Sequence, residues 1–377
     1  MSTNPGNIWC DIKVLTESSS DGIQSSKSGR VIVKPCKQVE IDFYQSTLSH
    51  PEFRHFIPEF IGTLELNQPA EPKASHSRAP SQNLLVPGPD HGTTPSWTPS
   101  GGGKIAADHG LALENVAYGF KKPNILDVKL GRRLWADDAP PAKRQKLDKI
   151  AGETTSTPLG LRIAGMKTFV GFASPEADNI DGYRKYDKNY GRMFTVDTIR
   201  QAFEKYFFIE SAGITKEMAH KVIKRFLVDL RALQQVLEAE ESRMYSSSLL
   251  FVYEGDSHRL QRDLDTPTPA ESFRDSDSDE AVDLSEDSSD EQTGTVVDLP
   301  GIPEGFTVIH QDLGSMPLAP GTKDSDDDEG EGRPMYKIQA VKMIDFAHAT
   351  WVPGQGPDEN TLFGFKSVIR ILEEMIL

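Results

Sequence analysis

The chain has 377 residues, enough for one large or two modest domains. Its two cysteines, Cys10 and Cys36, are too few and too far apart for a disulfide framework or a zinc cluster; no apolar run reaches the length of a membrane span, and the polar start lacks a signal peptide's basic and apolar regions. These features predict an intracellular soluble protein. The formal charge of −16 argues at first against a polyanionic ligand, but residues 271–331 hold nineteen acidic side chains against Arg274 and Lys323, so that segment carries −17 and the remainder about +1.

Residues 1–29 are polar, with Ile8-Trp9-Cys10 as their apolar knot. Arg30 to Lys34 alternates as a strand, and a helix is expected from Gln38 to about Leu48. In two-lobed kinases a strand lysine grips the nucleotide phosphates and is held by a helix glutamate. Lys34 and Glu40 have that order, although a strand-end lysine also serves as an ordinary exposed charge. Ser25 to Gly29 is a candidate phosphate cover without a Gly-x-Gly-x-x-Gly pattern. Ile61 to Leu66 reads as a strand; from Gln68 to Gly103 Pro, Ser, Gly and Thr dominate, which predicts a disordered insertion at 68–103. Order returns at Leu111 to Val116.

The stretch Pro123-Asn124-Ile125-Leu126-Asp127-Val128-Lys129-Leu130-Gly131 predicts a strand whose alternation puts Asp127 and Lys129 on one face and Leu126, Val128 and Leu130 on the other. That pair suits either a buried structural ion pair or phosphoryl-transfer chemistry. Next, Pro140 to Ile150 predicts a helix with Lys143, Lys146 and Lys149 within about a third of a turn. Three uses remain open for it: a rim for phosphates, a solvated basic face, or a nuclear import signal. Leu159 to Val170 reads as a strand. Helices are expected at Val196 to about Phe208, with a stripe of Ile199, Phe203 and Phe207, and at Thr215 to about Glu240, with Met218, Val222, Phe226, Leu230, Leu233 and Leu237.

Ser246 to Glu254 predicts a buried strand entered through serines. The segment from Leu264 to Gly332 is acidic and low in complexity, expected to be disordered at 265–332, with Ser276, Ser278 and Ser285 as candidate phosphorylation sites. Tyr336 to Ile344 is a strand that delivers Asp345-Phe346-Ala347-His348, and a carboxylate placed there suits Mg²⁺ binding between ATP phosphates. An amphipathic helix carrying Phe363, Phe365, Ile369, Leu372 and Ile376 closes the chain.

The pattern Pro-x-x-x-Asp-x-Lys-x-Gly at 123–131 resembles the signature of the inositol polyphosphate kinase family. Further landmarks follow in order: Leu159-Gly160-Leu161-Arg162-Ile163-Ala164-Gly165-Met166, Tyr190-Gly191-Arg192, Ser247-Ser248-Leu249-Leu250 and Ile344-Asp345-Phe346. The resemblance implies an α+β, two-lobed, protein-kinase-like fold with antiparallel sheets and helices: a small ATP-binding lobe at 1–115 and a large catalytic and inositol-phosphate-binding lobe at 116–377. It implies that Lys34, Glu114, Asn115, Val116, Asp127 and Asp345 bind ATP, with backbone groups of Glu114 and Val116 on the adenine edge and Asn115 near the ribose. Asp127, Lys129 and Asp345 would be catalytic and Asp345 would carry Mg²⁺. Lys129, Lys143, Lys146, Lys149, Lys167 and His348 would hold substrate phosphates, with Glu40, Ser247 and Ser248 in support.

Only 28 residues separate Gly131 from Gly160, too few for the large helical substrate lobe of the trisphosphate 3-kinases. That short segment is similar to those of the multikinases and the inositol hexakisphosphate kinases; with the long acidic insert before Ile344-Asp345-Phe346, the sequence resembles the family's multikinase branch, of fungal type, which implies inositol tris- and tetrakisphosphate as substrates. An inositol hexakisphosphate kinase is the first alternative, and a nuclear scaffold whose acidic tract contacts transcription factors is the second. Phosphoinositides are further candidate ligands, nucleic acid is not expected to bind directly, and the expected location is nucleus and cytoplasm. A protein kinase is disfavoured because no His-Arg-Asp loop or Asp-Phe-Gly triplet occurs.

Overall fold

The computed structural model describes residues 16–17, 23–66, 109–178, 180–265, 306–309 and 337–377. The apolar knot at Ile8-Trp9-Cys10, the insertion at 68–103 and most of the acidic segment, with Ser276, Ser278 and Ser285, lie outside these residues.

Two antiparallel sheets dominate. The first runs in the order β1 (Thr16–Glu17), β2 (Gln24–Ser25), β3 (Val31–Cys36), β5 (His109–Glu114), β4 (Phe60–Leu66) and β11 (Phe306–Ile309). The second runs β12 (Gln339–Ile344), β10 (Ser248–Glu254), β6 (Pro123–Leu130), β7 (Leu161–Phe169) and β8 (Tyr183–Tyr186). A ribbon of β9 (Ser242–Met244) and β13 (Ala349–Trp351) lies beside them. With the helices, this is an α+β fold.

Period-two alternation explains why β6 is central. Asn124, Leu126, Val128 and Leu130 are buried, while Ile125, Asp127 and Lys129 are only partly covered. The buried side packs on α6 (Arg200–Phe207), α7 (Lys216–Ala239) and α9 (Glu359–Ile376), where Ile199, Phe203, Phe207 and every stripe residue from Met218 to Leu237 are buried. Burying a Leu or Phe side chain is worth about 1.5–3 kcal/mol, so these stripes make the helices part of the core that holds β6 flat side outward. Thr215 caps α7 by accepting from the Met218 amide, which sets its start.

Strand β7 does not alternate cleanly. A bulge opposite Asp127 and Val128 leaves Ala164 outside the register, so Gly165 faces Asp127 and Arg162 faces Lys129. Leu161, Ile163 and Met166 are buried and Arg162 and Lys167 are not. Simple alternation counted back from Lys167 would turn Arg162 into the core; the bulge turns it to the face that carries Asp127 and Lys129.

Several differences from the sequence reading have local causes. The helix after β3, α1 (Gln38–Ser46), ends early in a 3-10 turn at Thr47–Ser49, and a four-residue turn, α2 (Pro51–Arg54), follows. The strand expected from Leu159 begins at Leu161, because Leu159 closes the helical turn α4 (Ser156–Leu159) and Gly160 takes a left-handed φ of 67°. The Tyr190-Gly191-Arg192 landmark follows β8 and lies in a short helix, α5 (Lys188–Arg192), capped by the Asp187 carboxylate. Between β6 and β7 stands one longer helix, α3 (Pro141–Gly152). It buries little, and it is pinned by the Trp135 indole, which donates to Asp148 at 2.6 Å and lies under the Arg144 guanidinium.

Candidate active site

Cross-strand partners share a face, so the register orders the exposed side of the second sheet in rows. Ala340, Val252, Ile125 and Lys167 form one row; Lys342, Leu250, Asp127 and Gly165 the next; Ile344, Ser248, Lys129 and Arg162 the third. The first row is apolar near the chain's turn at 115–120, where Val116 and Phe120 pack with Val252, Ile125, Leu250 and Ala340. Charge appears two and four residues further along β6.

Asp345, just past β12, completes that charge. Its Oδ1 accepts from Lys34 Nζ at 2.8 Å and its Oδ2 from Lys129 Nζ at 3.2 Å, so one carboxylate joins the two sheets. Lys34 Nζ also donates to Glu40 Oε1 at 2.9 Å, and the Phe346 amide donates to that same oxygen at 3.2 Å. Phe346 is fully buried and packs against the rings of Phe43, Tyr44 and Phe53, which fixes the residue next to Asp345 to α1. Asp345 has φ 68° and Ser246 φ 60°, the two non-glycine residues with positive φ among those described. Both touch the same ammonium: Ser246 O accepts from Lys129 Nζ at 2.7 Å. Left-handed backbone costs about 1–3 kcal/mol at such residues and is concentrated where function demands a geometry.

The electrostatics separate the two carboxylates. Burial favours the neutral form of Asp345, but Lys129 and Lys34 outweigh it and hold the group well below the usual carboxylate range. Burial likewise opposes the Lys34 charge, and Asp345 with Glu40 overcomes it, leaving Lys34 above the ordinary lysine value. Asp127 moves the other way: burial raises its pKa, Lys129 pulls against that, and repulsion from Asp345 adds to it. Asp127 Oδ1 is buried with no hydrogen-bond partner. An orphaned acceptor of this kind is costly unless something donates to it.

These oxygens suit a hard divalent cation. Among the described residues no cluster of three or more His, Cys, Asp or Glu is arranged for a metal. One or two carboxylates, completed by phosphate oxygens and water, is the donor set that Mg²⁺ and similar ions take beside a nucleotide.

At the turn after β5 the Asn115 side chain is occupied. Its Nδ2 donates to Gly29 O at 2.7 Å and its Oδ1 accepts from the Ala117 amide at 3.1 Å, tying the turn to the 26–30 hairpin. The Glu114 carboxylate pairs with Lys337 at 2.8 Å. Val116 is buried and its amide donates to no group among the described residues, an open backbone donor beside the apolar row.

The family model for inositol polyphosphate kinase matches residues 110–373. The chain belongs to the inositol polyphosphate kinase family. It is 28% identical over 376 residues to the inositol polyphosphate multikinase of Saccharomyces cerevisiae, covering 93% of this chain and 94% of that one. It is 29% identical over 273 residues to mouse inositol hexakisphosphate kinase 1, covering 70% of this chain and 51% of the relative, about half its length. Its fold is shared with the crystal structure of the S. cerevisiae inositol phosphate multikinase Ipk2 in complex with ADP and Mn²⁺, with a TM-score of 0.57 and 24% identity over 93% of this chain and 100% of that chain.

In this inositol phosphate kinase the residues named from sequence fall into two sets. Lys34, Glu40, Asp127, Lys129, Asp345 and Ser248 converge, and Ser247 is buried in the adjoining turn, its hydroxyl donating to Met244 O at 3.0 Å. Of the helix lysines, Lys143 reaches His348, with Nζ 3.1 Å from Nε2. Lys146 and Lys149 are exposed, and Lys149 lies 3.8 Å from Glu153. Lys167 sits over the Tyr183 ring at 4.0 Å, with Lys185, Asp181 and Lys122 as its charged neighbours. Sequence reasoning did not single out Lys37, which acts on His348, or Arg162 and Arg192, which lie on the β7 side of Asp127. Arg162 and Arg192 stood inside quoted motifs, but nothing in the linear pattern separated them from structural arginines.

Burial depresses the pKa of His348, and Lys143 and Lys37 lower it further against Asp138. Its folded value thus lies below the ordinary 6.5, so the neutral ring is favoured above that pH and lost as pH falls through the folded value. A neutral Nε2 accepts from the Lys143 ammonium. An NMR titration of the imidazole, assigned with His348→Gln, should give a midpoint below 6.5 in the free protein; a midpoint at or above 6.5 contradicts the cationic setting.

Proposed function

We propose that the chain is an inositol polyphosphate multikinase, which transfers the γ-phosphoryl group of ATP to free hydroxyls of inositol trisphosphate and then tetrakisphosphate. The observation that carries the chemistry is the Asp345 carboxylate gripped between Lys34 of one sheet and Lys129 of the other. Adenine lies on the apolar patch of Ile125, Leu250, Val252 and Ala340, with the Val116 amide at its edge. Lys34 binds nucleotide phosphates and Lys129 offsets charge on the moving phosphoryl group. Asp127 Oδ1 accepts the proton of the attacking hydroxyl as its oxygen bonds to the γ-phosphorus and the bond to the β-phosphate oxygen breaks; its raised pKa makes it the better proton acceptor of the two carboxylates. A divalent ion, Mg²⁺ in the cell, would be held by Asp345 and would supply charge neutralisation on the phosphates.

The preference for tris- and tetrakisphosphate is supported by the thin packing of α3, the one longer helix between β6 and β7, and by similarity to the yeast multikinase along nearly the whole chain. The division into lobes near 115/116 is supported by the two sheets, β1 to β5 lying before it and β6, β7, β8, β10 and β12 after it, with β11 returning to the first sheet from the later part of the chain. The run Lys143-Arg144-Gln145-Lys146 lies on partly to fully exposed positions of α3, which supports a second use as an import signal and hence a nuclear as well as cytoplasmic location.

Incubating purified protein with ATP, Mg²⁺ or Mn²⁺ and each of inositol tris-, tetrakis- and hexakisphosphate, followed by product separation, tests the reading. Phosphorylation of the first two is the expected result. Turnover of hexakisphosphate to a pyrophosphate product, with the smaller substrates untouched, would instead identify a hexakisphosphate kinase.

A further inference from the structure

Beyond Lys129 on β6, strand β7 and the helix α5 packed on it carry a pair of guanidinium groups that the proposed chemistry does not use. Arg162 is the register partner of Lys129 and, through the β7 bulge, shares its face. Helix α5 is clamped to the same strand: a Cβ on Gly191 would collide with the Ile163 carbonyl, so Arg192 is held immediately beside Arg162 and Ile163. Arg162 Nη1 is buried without a hydrogen-bond partner, and neither arginine makes an ion pair within 4.0 Å among the described residues. Burial and repulsion from Arg192 both weaken the Arg162 charge, and Asp127 supports it only partly. Two adjacent guanidinium groups left without a carboxylate, one with a buried unused N–H, require an anion to offset them. Gly165, which has no side chain, leaves space beside Asp127 on that same side.

We propose that Arg162 and Arg192 form a seat for a phosphate of the inositol substrate, on the β7 side of the attacking hydroxyl and separate from the group that Lys143 and Lys37 make around His348. The planar forks of two guanidiniums suit a phosphate bidentately, which an ammonium does not reproduce. The seat makes the enzyme select ring positions: a hydroxyl reaches Asp127 only when a neighbouring ring phosphate fills the pair.

This rests on an inositol phosphate being the substrate, so direct binding and turnover are measured separately. Isothermal titration of wild type, Arg192→Gln and Arg162→Lys with inositol trisphosphate should show Kd weakened by about tenfold or more in each variant, with Kd for ADP within twofold. Retained ADP binding reports an intact fold, and Arg192, being exposed, can be replaced without touching the core. Unchanged inositol trisphosphate affinity in Arg192→Gln and Arg162→Lys overturns the seat whether or not wild type turns the compound over. Absence of wild-type turnover on any inositol phosphate overturns the multikinase reading, while weakened binding in the variants would still support the seat.

Discussion

Asp345→Asn should reduce kcat by about 10³-fold or more while leaving the fold intact, because it removes the charge that holds Lys34 and Lys129 together without changing shape. Asn tolerates the left-handed φ that position 345 requires, so the backbone is retained. What is lost is electrostatic. Lys34 and Lys129, only 25% and 18% exposed, would face each other with Glu40 and the Ser246 carbonyl as their remaining partners, and no carboxylate would stand at the metal position. Circular dichroism and ADP affinity separate this from unfolding. A kcat within tenfold of wild type, at saturating ATP and divalent ion, would remove Asp345 from the chemistry.

Gly364→Ala should be the most damaging small substitution in the described fold. Helix α9 crosses the end of β6 where Gly131 N donates to Gly160 O at 2.8 Å, and a Cβ on residue 364 would strike that same Gly160 carbonyl. Gly160 in turn has φ 67° and no room for a side chain against Phe363 and Gly364. Both sides of the contact are backbone, so neither can rotate away. Overpacking of this kind costs about 3 kcal/mol, which for a chain of this size lowers Tm by roughly 6–10 °C. Gly152→Ala is the control: it lies at the end of α3 with open space around its Cβ and an ordinary φ, and should leave Tm unchanged or slightly raised. If the two variants melt together, the close approach of α9 to the Gly131–Gly160 bridge is wrong.

Much of this architecture was legible in the sequence, because its signals are local. Alternation in 123–130 put Asp127 and Lys129 on one face, and the stripes from Met218 to Leu237 marked a buried helix side; both are as expected. The convergence of Lys34, Lys129 and Asp345 joins residues 311 and 216 positions apart. It was anticipated from the order of motifs, since no spacing rule reaches across such distances.

What the sequence did not disclose depends on departures from regular geometry. The bulge at Ala164 reverses the facing of Arg162, and nothing in Leu-Arg-Ile-Ala-Gly announces an extra residue. The left-handed turn at Ser246 that turns a carbonyl toward Lys129 carries no glycine to mark it. Equal spacing made Lys143, Lys146 and Lys149 look equivalent, but the anchoring of α3 through Trp135 and Asp148 aims only the first at His348. Asn115 was placed near a ribose by its position alone, and the engagement of its side chain with Gly29 and Ala117 had no signal in the sequence.

The central claim is that Asp345, Lys34 and Lys129 surround the terminal phosphates of a bound nucleotide. A crystal of the protein grown with a non-hydrolysable ATP analogue and Mn²⁺, with data collected at the manganese edge, tests it directly. The anomalous peak should lie within coordination distance of the Asp345 carboxylate, with phosphate oxygens against both ammonium groups and adenine over Ile125 and Val252. A manganese peak remote from Asp345, or a nucleotide bound with its phosphates away from Lys34 and Lys129, would contradict it.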